Sequence, residues 1–260
     1  IRPSAMRLLI VSPSFHPATR FGGPVAAMRG LCNALAKVPE IELCVLTTDT
    51  AGWNSEDRLS LAQPVCEDDG YPVNYCRKDR GSDFSIELIR ALPEFLGRAD
   101  VVHLVGVYSL ITLLTLAYCK LRGKPVLWMP CGALRYPKHG RNILLKRIWL
   151  RLCDLLWPQG STIHFTSDQE MASAKLRRGQ GCVVVPHGVD CGEDMVSGRL
   201  QSDLGRSLLY MGRLDPMKGV ENLLHAMSAD ACLDWNLEIC GDGARAYVLQ
   251  LRSLAARLGL

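Results

Sequence analysis

The sequence predicts an α/β protein: a domain with a parallel β-sheet, followed by the start of a second α/β domain. Short apolar runs typical of buried strands alternate with helical patterns as far as Val185. The alternation restarts after a polar, linker-like segment at 200–206. Parallel strands need crossover connections, usually helices, so this order favours a sheet covered by helices. With 260 residues and 48% hydrophobic composition, the chain can bury one large core or two smaller ones.

The predicted elements are short, and the segment at 51–83 is irregular apart from one strand. Strands are predicted at 7–12, 42–48, 72–76, 101–105, 125–129, 162–166, 182–185, 207–211 and 235–240. Helices are predicted at 24–37, 85–96, 109–122, 138–157, 222–227 and 244–258. We expect the first domain to cover 1–195 and the second to cover 196–260. Because two strands make too small a sheet to be stable alone, we expect the second domain to be incomplete.

Charge and cysteine content narrow the class of protein. A net charge of +4 and a pI near 8.5 fit an anionic small ligand or an anionic membrane surface, and they are too weak to indicate nucleic-acid binding. The 11 cysteines are odd in number and include no C-x-x-C pair, so they predict reduced thiols in a cytoplasmic protein. The six histidines lack metal-ligand spacing, and no metal site is expected. No secretory signal is visible, and we take Met6 as the natural start.

The stretch at 101–119 carries no formal charge, so a membrane span has to be considered. Its polar side chains and the interruption at Gly106 argue against a span. A buried strand followed by a buried helix from Ser109 explains the stretch better.

Glycine-containing turns follow several predicted strands. In a parallel sheet the carboxyl ends of the strands share one edge, where ligands bind. This rule places four dipeptides at the same edge: Gly22-Gly23, Val105-Gly106, Cys131-Gly132 and His187-Gly188.

The turn that opens the second domain runs from Gly212 to Gly219 and contains Arg213 and Lys218. Glycines let a backbone approach a ligand closely, a new helix offers free N–H groups, and two cations complement negative charge. The turn therefore predicts a pyrophosphate site. An ordinary surface turn with two solvated cations is the alternative.

Taken together, three motifs resemble those of the GT-B retaining glycosyltransferases of family 4. They are Gly22-Gly23 after the first strand, the run from Pro186 to Asp190, and the Gly212–Gly219 turn. The resemblance covers residues 6–260 and implies two Rossmann-like domains facing each other across a cleft, with the nucleotide-sugar donor bound mainly to the second. It also implies transfer to a glycan or lipid-linked acceptor with retention of configuration and without a bound metal.

The resemblance assigns roles by position. Arg213 and Lys218 would hold the donor diphosphate and stabilise the leaving group, beside Gly212 and Gly219. Gly22 and Gly23 would close over the donor phosphate, and Gly241 and Gly243 would line the nucleoside side. The candidates for contact with the acceptor or the transferred sugar are His16, His103, Cys131, Gly188 and Asp190.

The sequence also departs from the family pattern. Cys131 stands where many members have a histidine, and His187 stands where they often have an asparagine. Val105 replaces the second histidine of a His-x-His-Gly pattern. The family's pair of glutamates eight positions apart is missing after Asp190. We therefore expect a C-terminally truncated chain, and a nucleotide-binding fragment without turnover is the second hypothesis.

Other interpretations remain open. Gly241-Asp242-Gly243 with Ala246 fits the G-x-G-x-x-A fingerprint of an NAD-binding protein, although the first strand lacks it. His16 and His103 have a structural role as their alternative, while Asp49, Asp190 and Glu170 are acids near the same edge. The basic amphipathic pattern at 138–157, which includes two tryptophans, predicts either a packed surface helix or peripheral contact with the inner face of the membrane.

Overall fold

A computed structural model describes residues 5–52, 56–60, 65–66, 70–81, 83–134, 143–174, 180–189, 206–232 and 234–260. The chain divides into two compact units, Ile1–Asp190 and Cys191–Leu260.

The first unit is a sheet with helices on both faces. Its strands are β1 (Met6–Val11), β2 (Ile41–Thr48), β3 (Val65–Cys66), β4 (Pro72–Cys76), β5 (Val101–Val105), β6 (Val126–Met129), β7 (Thr162–Phe165) and β8 (Gly181–Val184). Its helices are α1 (Gly23–Ala36), α2 (Ile86–Arg98), α3 (Leu110–Arg122), α4 (Ile143–Leu155) and α5 (Asp168–Ser173). The strand order is β3-β4-β2-β1-β5-β6-β7-β8, and only β3 runs antiparallel to its neighbour.

Side-chain alternation along the strands produces two apolar layers. On one face, Leu104 and Trp128 pack in a cluster with buried residues of α2, α3 and α4. On the other face, Val105 and Met129 belong to a cluster that includes Met28 of α1. Both faces of the sheet are therefore buried, as expected for a parallel sheet wound by crossover helices.

The uncharged stretch at 101–119 forms β5 and most of α3, which confirms the prediction. Ser109 caps α3 by accepting a hydrogen bond from the N–H of Ile111, and Gly123 ends the helix with φ 64°. Within the described part of the chain, none of the helices has the length and apolar character needed to cross a membrane.

Within the predicted basic helix at 138–157, α4 covers Ile143–Leu155, and 138–142 lie outside the described residues. The two tryptophans of this segment are partly buried against the core, as expected for the packed surface helix. Trp149 packs against the core and donates its Nε1–H to the Val107 carbonyl at 2.7 Å. Trp157 lies 5.9 Å from Trp128, measured between ring centroids.

The second unit contains two βα pairs. β9 (Ser207–Met211) and β10 (Asn236–Cys240) form a parallel two-stranded sheet, and α6 (Val220–Met227) and α7 (Arg245–Arg257) follow them. Its main apolar cluster is formed by Leu214, Val220, Leu224, Tyr247 and Leu251. Because Leu214 belongs to the turn after β9, this turn is part of the core rather than a loose surface loop.

Candidate functional site

A cavity of about 790 Å³ lies at the carboxyl edge of the first unit's sheet. It is lined by the beginning of α1 and by the segments that follow β6, β7 and β8. Of the residues predicted to contact ligands, Gly23, Cys131 and Gly188 line this cavity. Asp190 lies outside the described residues.

The α1 end of the cavity depends on two different glycines. Gly22 has φ 76° and ψ −145°, a backbone conformation that strains any residue with a Cβ. A Cβ added at Gly23 would meet nothing within 4 Å, so this position is open on the cavity side. Neither a side-chain cap nor an acidic residue occupies the first turn of α1. The positive end of the helix dipole therefore favours an anionic group in the cavity.

Glu170 joins two walls of the cavity. One carboxylate oxygen accepts a hydrogen bond from the N–H of Gly132, after β6. The other oxygen accepts from the N–H and the hydroxyl of Thr166, after β7, both at 2.8 Å. Burial alone would raise the pKa of Glu170, but the hydrogen bonds from Thr166 and Gly132 outweigh it and lower the pKa. An ionised carboxylate is thus held in place beside the cavity.

Cys131 lies directly after β6 and lines the cavity. Its φ of 51° is in the left-handed region, which a non-glycine residue adopts at a cost. Burial, helped by the charge of Glu170, raises the pKa of its thiol to about 11. The thiol is therefore protonated at neutral pH, and it is not an activated nucleophile.

The three histidines near this edge lie in different surroundings. His16 is half-buried, and its Nε2 accepts a hydrogen bond from Arg29 Nη1 at 2.9 Å. His103 is only 2% exposed, which supports the structural alternative for this residue. His187 lines the cavity, and the pKa of its imidazole is lowered by desolvation and by nearby His164, despite the opposing charge of Glu170.

His103 makes the stability of the first unit depend on pH. Burial, with a smaller contribution from His164, lowers its pKa to about 3, whereas an unfolded histidine titrates near 6.5. Below about pH 6.5 the unfolded state binds the proton more readily, so stability is lost as the pH falls. We expect urea titrations to show a loss of about 2 kcal/mol between about pH 7.5 and pH 5.

Two substitutions test this prediction: one of the buried His103, and one of an exposed histidine as the control. His103→Gln should flatten the pH dependence between about pH 7.5 and pH 5. His225→Gln, on the surface of α6, should leave it as in the wild type. Equal slopes in His103→Gln and the wild type would show that another group is responsible.

In the second unit, the Gly212–Gly219 turn has a defined backbone. Leu214 donates its N–H to the Asp242 carbonyl at 2.8 Å. The Asp215 carboxylate accepts from the N–H of Met217 at 3.0 Å and starts a short 3₁₀ helix, Pro216–Lys218. Gly219, with φ 63°, then leads into α6.

The two cations of this turn are both exposed. Asp215, the acid nearest in sequence, uses its carboxylate to cap the 3₁₀ helix. No ion pair of Arg213 or Lys218 occurs within the described residues. In the part of the chain that the structure describes, both cations of the turn are thus exposed and outside any ion pair, which suits an anionic ligand.

Gly241 and Gly243 have a packing role that the sequence did not reveal. Leu214 and Gly243 form an isolated parallel bridge between the two turns of this unit. A Cβ at Gly241 would lie 1.9 Å from the Gly212 carbonyl oxygen, and a Cβ at Gly243 would lie 2.1 Å from that of Leu214. These glycines are needed for close contact between the turns, whether or not they also line a nucleoside site.

Solved structures of glycosyltransferases with the GT-B fold share this arrangement of a parallel α/β sheet followed by a second α/β unit. HepE from Anabaena, solved in complex with UDP, is 17% identical to this chain, and the two superpose with a TM-score of 0.63. The match covers 98% of this chain and 66% of the HepE chain. OtsA, a trehalose-6-phosphate synthase, is 13% identical with a TM-score of 0.60, and the match covers 97% of this chain and 70% of the OtsA chain. This chain thus spans just under two thirds of the HepE chain.

A further trehalose-6-phosphate synthase structure, from work on glycosyl transfer with retention, is 12% identical with a TM-score of 0.54. It covers 97% of this chain and 68% of its own. No protein-family model matches the sequence, and no curated protein matches it either. The comparisons therefore define the fold, which confirms the predicted α/β architecture of GT-B type.

Proposed function

We propose that this protein is a retaining glycosyltransferase that moves a sugar from a nucleotide diphosphate sugar to a glycan or lipid-linked acceptor. The observation that carries the proposal is the pair of exposed cations, Arg213 and Lys218, on the turn between β9 and α6. UDP in the HepE structure supports a nucleoside diphosphate as the ligand class. The study of retention in a trehalose-6-phosphate synthase supports the stereochemistry.

In this proposal the two cations bind the diphosphate and stabilise the charge that develops on it. The bond between the sugar's anomeric carbon and the donor phosphate oxygen breaks, and a bond to the acceptor oxygen forms on the same face. The acceptor hydroxyl gives its proton to the departing phosphate. Within the first unit, the cavity beside Glu170 and Cys131 receives the acceptor.

The test is a calorimetric comparison of UDP with uridine. Hydrogen bonds to charged groups contribute about 1.5–3 kcal/mol each. Two such contacts to the diphosphate should therefore make UDP bind at least about 100-fold more tightly than uridine. Equal affinities would contradict the proposal, because the diphosphate would then make no contact. GDP and ADP in the same experiment identify the base.

The second candidate function is nucleotide binding without turnover. It requires only the exposed cations Arg213 and Lys218 and no contact with the transferred sugar. Release of UDP from UDP-glucose in the presence of acceptor sugars distinguishes the two candidates. Binding of UDP with no release above the uncatalysed rate would favour the second one. In either case we propose that the protein works in the cytoplasm, at or near the inner face of the membrane.

A further inference from the structure

Helix α4 presents an apolar stripe to solvent. Leu144 and Leu155 are 70% and 64% exposed, and Ile148 and Leu152 between them are also exposed. At 100° per residue these four side chains lie within about a quarter of the helix circumference. Nothing among the described residues covers them, although the opposite side of α4 packs Cys153 and Trp149 into the core.

Positive charge borders this stripe. Arg147 and Arg151 are exposed and follow the same helical spacing, next to Ile148 and Leu152. Lys120, at the end of α3, donates a hydrogen bond to the Leu155 carbonyl and adds a third cation near the end of α4. The one acid on α4, Asp154, accepts a hydrogen bond from Gln180 at 3.4 Å.

We propose that the α4 stripe, formed by Leu144, Ile148, Leu152 and Leu155, binds an anionic lipid surface with Arg147 and Arg151 facing the headgroups. A helix with an apolar face and a cationic border lies in a membrane interface, whereas a purely apolar patch would carry no preference for anionic lipid. Of the cations on α4, Lys146 is not part of this surface, because it lies 5.3 Å from the centroid of the Tyr108 ring. The inference extends the proposed function, since a lipid-linked acceptor would be met at this surface.

The experiment is co-sedimentation with vesicles of phosphatidylcholine, with and without one third phosphatidylglycerol. We expect binding only to the anionic vesicles, reduced by added salt. Each cation near an anionic surface contributes roughly fivefold to partitioning, so Arg147→Gln with Arg151→Gln should weaken binding about 25-fold. Leu144→Gln with Ile148→Gln should weaken it by at least about tenfold.

The matched control is Leu249→Gln with Arg252→Gln, an exposed pair on α7, which should bind vesicles like the wild type. Equal, negligible binding to both kinds of vesicle would overturn the proposal. So would a dimer in sedimentation that Leu144→Gln with Ile148→Gln dissociates, because a second copy would then cover the stripe. UDP calorimetry is independent of vesicles, so failure here is distinguishable from failure of the proposed function.

Discussion

Replacing Arg213 and Lys218 together by alanine is expected to weaken UDP binding at least about 100-fold, to the level of uridine. Both side chains are exposed on a turn whose backbone is held by two hydrogen bonds: Leu214 donates to the Asp242 carbonyl, and the Asp215 carboxylate accepts from Met217. Removing them takes away charge without disturbing the fold, so the loss reports the ligand contact. Calorimetry at one fixed ionic strength measures the effect, because salt weakens exposed ion pairs.

The control for the double substitution removes two exposed arginines elsewhere in the same unit. Arg252→Ala with Arg257→Ala, on α7, changes the net charge by the same amount. This variant should bind UDP like the wild type if the contact is local. A similar loss in both double variants would point to the general field of the unit. An unchanged affinity in Arg213→Ala with Lys218→Ala would remove the diphosphate assignment.

Much of the fold could be predicted because apolar runs and capping residues coincide. Val101–Val105 is an apolar strand apart from His103, and Ser109 is a good N-cap for the helix that follows, so both boundaries agree with the structure to within a residue. β3 was not predicted, since two residues paired antiparallel carry no periodic signal. The six-residue α5 is likewise too short for helical periodicity to be recognised.

The site was predictable only as far as strand order determines it. Parallel strands place Gly23, Cys131 and Gly188 at one edge, and these residues do line a common cavity. The contact between Glu170 and Gly132 joins residues 38 positions apart, and it exists because β6 and β7 are neighbours. In the sequence, Glu170 is only one acid among several near this edge.

Polar partners inside the first unit also depend on tertiary structure. His16 accepts a hydrogen bond from Arg29, 13 residues away, and no helical or strand spacing predicts that contact. His103 lies in a buried strand, so its burial could be predicted from the sequence. Its neighbour His164, however, comes from β7. The low pKa of His103 therefore could not be inferred from its own segment.

Gly243→Ala is expected to separate the two turns of the second unit. The new Cβ would lie 2.1 Å from the Leu214 carbonyl oxygen, and backbone has to move to relieve the contact. Such overpacking costs about 1–3 kcal/mol, which corresponds to a roughly 5- to 150-fold faster amide exchange at Leu214, the residue that donates to Asp242.

Gly212→Ala is the matched control, because its Cβ would make an ordinary contact at 3.4 Å with Tyr210. Hydrogen exchange of the 207–214 segment should thus change in Gly243→Ala alone, and unchanged exchange there would mean that the glycine is not needed for packing. UDP binding measured on Gly212→Ala then shows whether a ligand approaches this backbone closely.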